Sequence, residues 1–156
     1  MDKVFWVIDG QLAGRPGPDQ DPWRLDALKT GGIGAVLSVN DGVLCHPRDF
    51  EAMGMSYACI PMSDNAPPFP GDHERCIKAL PLAYEFAESE IDKGMGVLVH
   101  CSAGKDRTGL FLSYFLMRQY GFTITQAIGR VREVRPIALS AEGWDEFAPQ
   151  VLSRCS

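Results

Sequence analysis

The chain has 156 residues, 46% hydrophobic and 22% charged, which suits one domain with a real core. Its formal net charge of −5 argues against general binding to nucleic acid or anionic membrane, so any anion site must be local. No apolar run approaches the roughly 20 residues that span a bilayer, and "VFWVI" (4–8) is too short for a signal-peptide core; a cytoplasmic protein with no transmembrane segment is expected.

"VFWVI" and "QLAGR" (11–15) read as short strands near a sheet edge. Asp21-Pro22 reads as a helix start, with the helix running to Thr30 and stopping at Gly31-Gly32. "IGAVLSV" (33–39) is a buried strand, "PRDFEAMG" (47–54) a short helix ending in glycine, and "SYACIP" (56–61) the next strand. "MSDNAPPFPGD" (62–72) is too long for a tight turn and reads as a functional loop. A long helix follows over 73–93, with Pro81 a bend. "GVLVHC" (96–101) is apolar throughout, as at the centre of a sheet covered on both faces. Helices are expected over 108–120 and 124–134, the second opened by a capping box of Thr123 and Gln126. "RPIAL" is a connector, and Ser140 begins a last helix. The fold class is therefore α/β: a single domain with a central, mainly parallel sheet flanked by helices on both faces. Ligands in such folds bind beyond the carboxyl ends of the strands, where Cys101 sits.

The stretch "VLVHCSAGKDRTG" (97–109) carries the chemistry. A helix N-terminus exposes unpaired N–H groups and partial positive charge, and a loop wound round an anion adds more donors. Ser102, Ala103 and Gly104 are small enough for the backbone to close tightly. Arg107 offers a planar fork matched to two phosphate oxygens. The field that binds phosphate also favours a thiolate, and such surroundings lower a cysteine pKa from about 8.5 to roughly 3.5–7.5. Cys101 is thus expected to be ionised at neutral pH. A nucleotide-binding P-loop does not fit, because Val99 stands where its first glycine belongs and Asp106 follows the lysine. The plain alternative is a structural cysteine that happens to precede a helix.

"HCSAGKDRTG" (100–109) resembles the HCxxGxxR[ST]G signature of the cysteine-dependent protein tyrosine phosphatases, and the chain length resembles their small atypical dual-specificity branch. "FWVIDGQLAGRPGP" (5–18), "IPMSDNAPP" (60–68) and "VREVRP" (131–136) are similar to the branch's N-terminal segment, general-acid loop and post-signature segment. The resemblance implies a phosphatase (CX5R) fold and one dual-specificity-phosphatase-like catalytic domain over 1–156. It makes Cys101 the nucleophile of a phospho-cysteine intermediate. It gives the amides of Ser102, Ala103, Gly104, Lys105, Asp106 and Arg107, with the Arg107 side chain, the phosphoryl oxygens to hold. Thr108 would donate to the sulfur, and His100 would order the loop or simply pack. Asp64 would be the general acid and base, with Asp72, Asp41 and Glu74 as competitors.

Lysine at position 105 also occurs in relatives that act on phosphoinositides. Ser102 stands where some lipid phosphatases carry a second lysine, so a phosphorylated protein or peptide is the favoured substrate and a lipid or inositol phosphate the alternative. A non-catalytic phosphate-recognition module, a sulfurtransferase and an arsenate reductase are the rivals of other classes. The five cysteines (45, 59, 76, 101 and 155) include no CxxC pair, and no two of the three histidines stand at i, i+4, so neither a metal nor a cofactor is expected. The cysteines read as reduced thiols, with a Cys45–Cys101 disulfide under oxidation as the sharper alternative. A monomer is expected.

Overall fold

The computed structural model describes residues 3–155. Strands β1 (Phe5–Ile8), β2 (Leu12–Arg15), β3 (Ile33–Ser38), β4 (Ser56–Cys59) and β5 (Gly96–His100) form one sheet in the order β1-β2-β5-β3-β4. Only the edge pair β1–β2 is antiparallel; β2, β5, β3 and β4 run parallel. β5 lies in the middle with all five residues buried. That explains its unbroken apolar run, since a central strand has no solvent face.

The period-2 alternation of β5 divides two cores. Val97 and Val99 join Leu12, Ala35 and Leu37 under the helices α3 (Asp72–Asp92), α4 (Arg107–Tyr120), α5 (Ile124–Val134) and α6 (Trp144–Cys155). Leu98 joins Ala13, Ile33 and Val36 on the opposite face, under α1 (Leu25–Thr30) and α2 (Pro47–Ala52). The register sets Arg15 and Ser38 on either side of His100, and Cys59 beyond Ser38. A polar row therefore crosses the carboxyl ends of the parallel strands.

Two helix starts differ from the sequence expectation. α1 begins at Leu25 and not at Asp21-Pro22. The carbonyls of Asp21 and Pro22 accept from the Arg15 guanidinium at 2.8 and 3.3 Å, which holds this segment as a strap rather than a helical turn. α6 begins at Trp144 and not at Ser140. Ser140 Oγ accepts from Lys105, and the Ala141 amide donates to Asp106 Oδ1 at 3.1 Å, so these residues serve the loop after β5. Pro81 lies within α3 without ending it. Residues 60–71 contain no helix or strand, as expected for the proline-rich loop, and the Ala66–Pro67 peptide in it is cis. The capping box of α5 is present in both directions. No helix among the described residues is long and apolar enough to cross a membrane.

Thr123→Ala removes one half of that cap and is expected to cost about 1 kcal/mol. Leu98→Ala leaves a cavity in the central strand and is expected to cost about 2–5 kcal/mol. Urea denaturation of the two variants measures both.

Candidate active site

Cys101 follows β5 directly and is 1% exposed; α4 opens six residues later at Arg107. Every carbonyl from residue 101 to 106 is bonded away from the centre of this loop. His100 Nδ1 donates to the Cys101 carbonyl at 3.0 Å. The Gly17 amide donates to Ser102 at 2.7 Å. Arg135 donates from Nη2 to Ala103 at 2.6 Å and from Nε to Gly104 at 3.3 Å. The amides of Gly109 and Leu139 donate to Lys105, and that of Leu110 to Asp106.

A trans peptide is planar, with its C=O and N–H pointing in opposite directions. Each carbonyl drawn outward therefore turns the next residue's N–H inward. The amides of residues 102–107 are so directed, and none donates to an acceptor among the described residues. They form a nest of donors at the N-terminus of α4, which favours an anion. Gly104 is required in this loop. Its φ is +66°, and a Cβ there would lie 2.6 Å from the Arg15 carbonyl group. The strap containing Gly17 is bound from beneath by Arg15, itself 3% exposed. It is bound at its tip by Ser102 Oγ, which donates to Asp19 at 2.7 Å.

Thr108, on the first turn of α4, donates its hydroxyl to Cys101 Sγ at 3.1 Å. Arg107 donates Nε to the Ser63 carbonyl at 2.7 Å, and its guanidinium lies 5.2 Å from the centroid of the Trp144 ring. Trp144 Nε1 in turn donates to the Asn65 carbonyl at 2.9 Å. The two residues flanking Asp64 are thus tied to Arg107 and to the ring behind it, while Asp64 itself is exposed.

Asp72, Glu74 and Asp41, the other candidate acids, are placed differently. Asp72 is buried and accepts from the Phe69 amide at 2.6 Å and the Asn65 side chain at 3.0 Å. Burial pushes its carboxyl up, but hydrogen bonds from Asn65, Phe69 and Ser63 outweigh this and hold it below the usual range. It is an acceptor that shapes the loop. Glu74 pairs with Arg154 of α6, and Asp41 opens a 3₁₀ turn in the left-handed region. Lys105 bonds Asp106 at 2.8 Å and Ser140 at 3.3 Å, and so is committed to neighbours of its own chain.

His100 points to the α1/α2 face, with Trp23 edge-on at 4.9 Å. Nδ1 meets a carbonyl, which only accepts, so it carries the proton. Burial lowers the His100 pKa against the opposing hydrogen bond to Cys101, so the ring is neutral and Nε2 accepts. Ser38 Oγ therefore donates to Nε2 across 2.5 Å and receives the Tyr57 hydroxyl at 2.7 Å. Cys45 Sγ sits 3.5 Å from the same nitrogen, and burial pushes its thiol pKa up. Cys45 belongs to the α1/α2 core and Cys101 to the opposite one. Both are free thiols.

Sequence reasoning missed Ser38, Tyr57, Trp144 and Arg135 at this site. Ser38 is the one hydroxyl residue of β3 and Tyr57 sits beside Ser56 in β4, patterns with no local signal. Arg135 lay in a segment noted for resemblance, but its partners are 31 and 32 residues away.

A cysteine at a strand end, ringed by outward carbonyls and backed by a helix N-terminus and an arginine, defines an oxyanion-binding site of the cysteine-phosphatase type. The chain belongs to the dual specificity phosphatase catalytic-domain family, whose model matches residues 20–146. It is 33% identical over 113 residues to the tyrosine-protein phosphatase cdcA of Emericella nidulans, covering 72% of this chain and 18% of that protein. The chain spans about a fifth of the length of the first curated relatives it matches. Among solved structures it is similar to a mutant form of Tk-PTP (TM-score 0.76, 25% identity, 97% of this chain and 95% of that one). Human DUSP28 shares the fold at TM-score 0.74 and 17% identity, with 99% and 95% covered.

The His100 environment generates a pH prediction. Above the ordinary pKa of 6.5 the ring is neutral in the folded and unfolded chains alike. Below it the unfolded chain takes a proton that the folded chain refuses, so stability falls as pH falls. This group contributes a slope of up to about 1.4 kcal/mol per pH unit until the lowered folded pKa is reached. Urea titrations between pH 5 and 7.5 should show that slope, and His100→Gln, though less stable, should lack that component.

Proposed function

We propose that this chain is a metal-independent phosphomonoesterase acting on phosphorylated protein or peptide through a phospho-cysteine intermediate. The observation that carries the reading is the set of outward-bonded carbonyls, which aims the amides of residues 102–107 at one place beside Cys101 Sγ. Three equatorial phosphoryl oxygens match such a nest. Arg107, positioned through its Nε, presents its two terminal nitrogens to two of those oxygens.

In the first step the Cys101 thiolate attacks phosphorus, an S–P bond forms and the P–O bond to the leaving group breaks. Asp64 gives its proton to the departing oxygen. In the second step Asp64 takes a proton from water as that water attacks phosphorus, the S–P bond breaks and inorganic phosphate leaves. The Thr108 hydroxyl supports the sulfur as its negative charge returns. No cofactor or metal enters these steps.

The commitment of Lys105 to Asp106 and Ser140 favours the protein or peptide substrate over a phosphoinositide, which would need a further free cation. The reading treats residues 1–156 as one catalytic domain working as a monomer. It places the protein in the cytoplasm, where thiols such as the free Cys101 stay reduced.

Cys101→Ser is expected to abolish hydrolysis of para-nitrophenyl phosphate in EDTA; a variant of undiminished activity would end the proposal. Asp64→Asn should slow a phosphopeptide with a poor leaving group by about 10²–10⁴-fold, and para-nitrophenyl phosphate, whose phenoxide leaves without help, much less. Should Asp72→Asn show that leaving-group dependence instead, the acid has been misassigned.

A further inference from the structure

Of the carbonyls that shape the loop, those of Cys101, Ser102, Lys105 and Asp106 are held by His100 or by backbone amides. Those of Ala103 and Gly104 are held by one side chain, Arg135. We propose that Arg135 is a positioning residue for phosphate: by gripping two consecutive carbonyls from outside, it aims the Gly104 and Lys105 amides at the phosphoryl group. The inference rests on the reading of residues 101–107 as an oxyanion cradle.

The guanidinium fork suits the task. Its Nη2 and Nε reach neighbouring carbonyl oxygens, and both bonds are charge-assisted. Planarity of each peptide transmits the grip to the N–H on the far side. Gly104 needs such a hold most, since at φ +66° it has the widest backbone freedom in the loop. The other side of this glycine is closed by the Arg15 and Pro16 backbone. The peptides at 103–105 are thus clamped between a strap and a cation. Arg135 is itself fixed. It caps α5, its amide donates to the Val131 carbonyl at 2.8 Å, and its guanidinium lies 5.7 Å from the Phe5 ring centroid. Its two donors are turned to the loop's outer carbonyls, so it acts on phosphate through the loop and not by contact.

The test uses the Cys101→Ser chain, inorganic phosphate as probe and two-dimensional amide NMR. Phosphate should shift the amide signals of Ser102, Ala103, Gly104 and Lys105. With Arg135→Gln added, affinity for phosphate should fall about 10- to 100-fold, and the Gly104 and Lys105 responses should shrink more than those of Ser102 and Ala103. A purely structural role would lower the melting temperature and leave phosphate affinity unchanged; that result overturns the proposal. If Arg135→Gln does not fold, Arg135→Lys, which keeps the charge but loses the fork, should show a smaller drop confined to the same two amides, and unaltered binding in it is equally fatal. Phosphate binding without turnover in the wild-type chain would sink the enzyme reading alone, whereas turnover with binding indifferent to residue 135 would sink only this one.

Discussion

The planarity of the peptide bond is the constraint on which the rest of this structure depends. A loop of small residues has no intrinsic reason to point its amides one way. Here each carbonyl of residues 101–106 is bonded outward, and rigid peptides convert those bonds into a convergent set of donors. The partners come from the N-terminal strap, the strand end, α4 itself and the segment after α5. Much of the fold can therefore be read as the means of holding six oxygens away from one point. The cost of burying backbone polar groups without partners is what makes this arrangement specific.

The central strand adds a second consequence of simple geometry. Because side chains alternate across a sheet, Cys101 faces the core under α3 to α6 while His100 faces α1 and α2. The cysteine thereby gains α4 and the Thr108 hydroxyl. The histidine gains a buried pocket that favours its neutral form and fixes one tautomer, with Ser38 and Tyr57 aligned behind it. One ring nitrogen grips the loop, and the other is anchored in the opposite half of the protein. Cys45 in turn touches the histidine that touches Cys101.

The proline-rich loop is coupled to this centre through Arg107 and Trp144. Ser63 and Asn65 offer their carbonyls to these two side chains, and buried Asp72 collects the turn behind them. A change in the position of Arg107 is thus felt on both sides of Asp64. In this arrangement Asp72 is held by the turn it shapes, while Asp64 is exposed.

The sequence alone determined the class of fold, the strand that carries the site and the identity of the loop. Those are local properties: an apolar run bounded by glycine, a run of small residues, a Thr-x-x-Gln cap and the spacing of Cys101, Arg107 and Thr108. Strand and helix positions agreed within a few residues, except at Asp21-Pro22 and Ser140. At those points residues with good helix-start chemistry were diverted to Arg15 and to Lys105 and Asp106. Only the tertiary structure decided which residues hold the loop from outside and where Lys105 and Asp72 find their partners. The loop's outer contacts join Arg135 to Gly104 and Ala103, 31 and 32 positions away, and Asp19 to Ser102, 83 positions away. Sequence spacing does not encode such contacts, because the register of the sheet and the packing of helices bring them about only when the whole chain has folded.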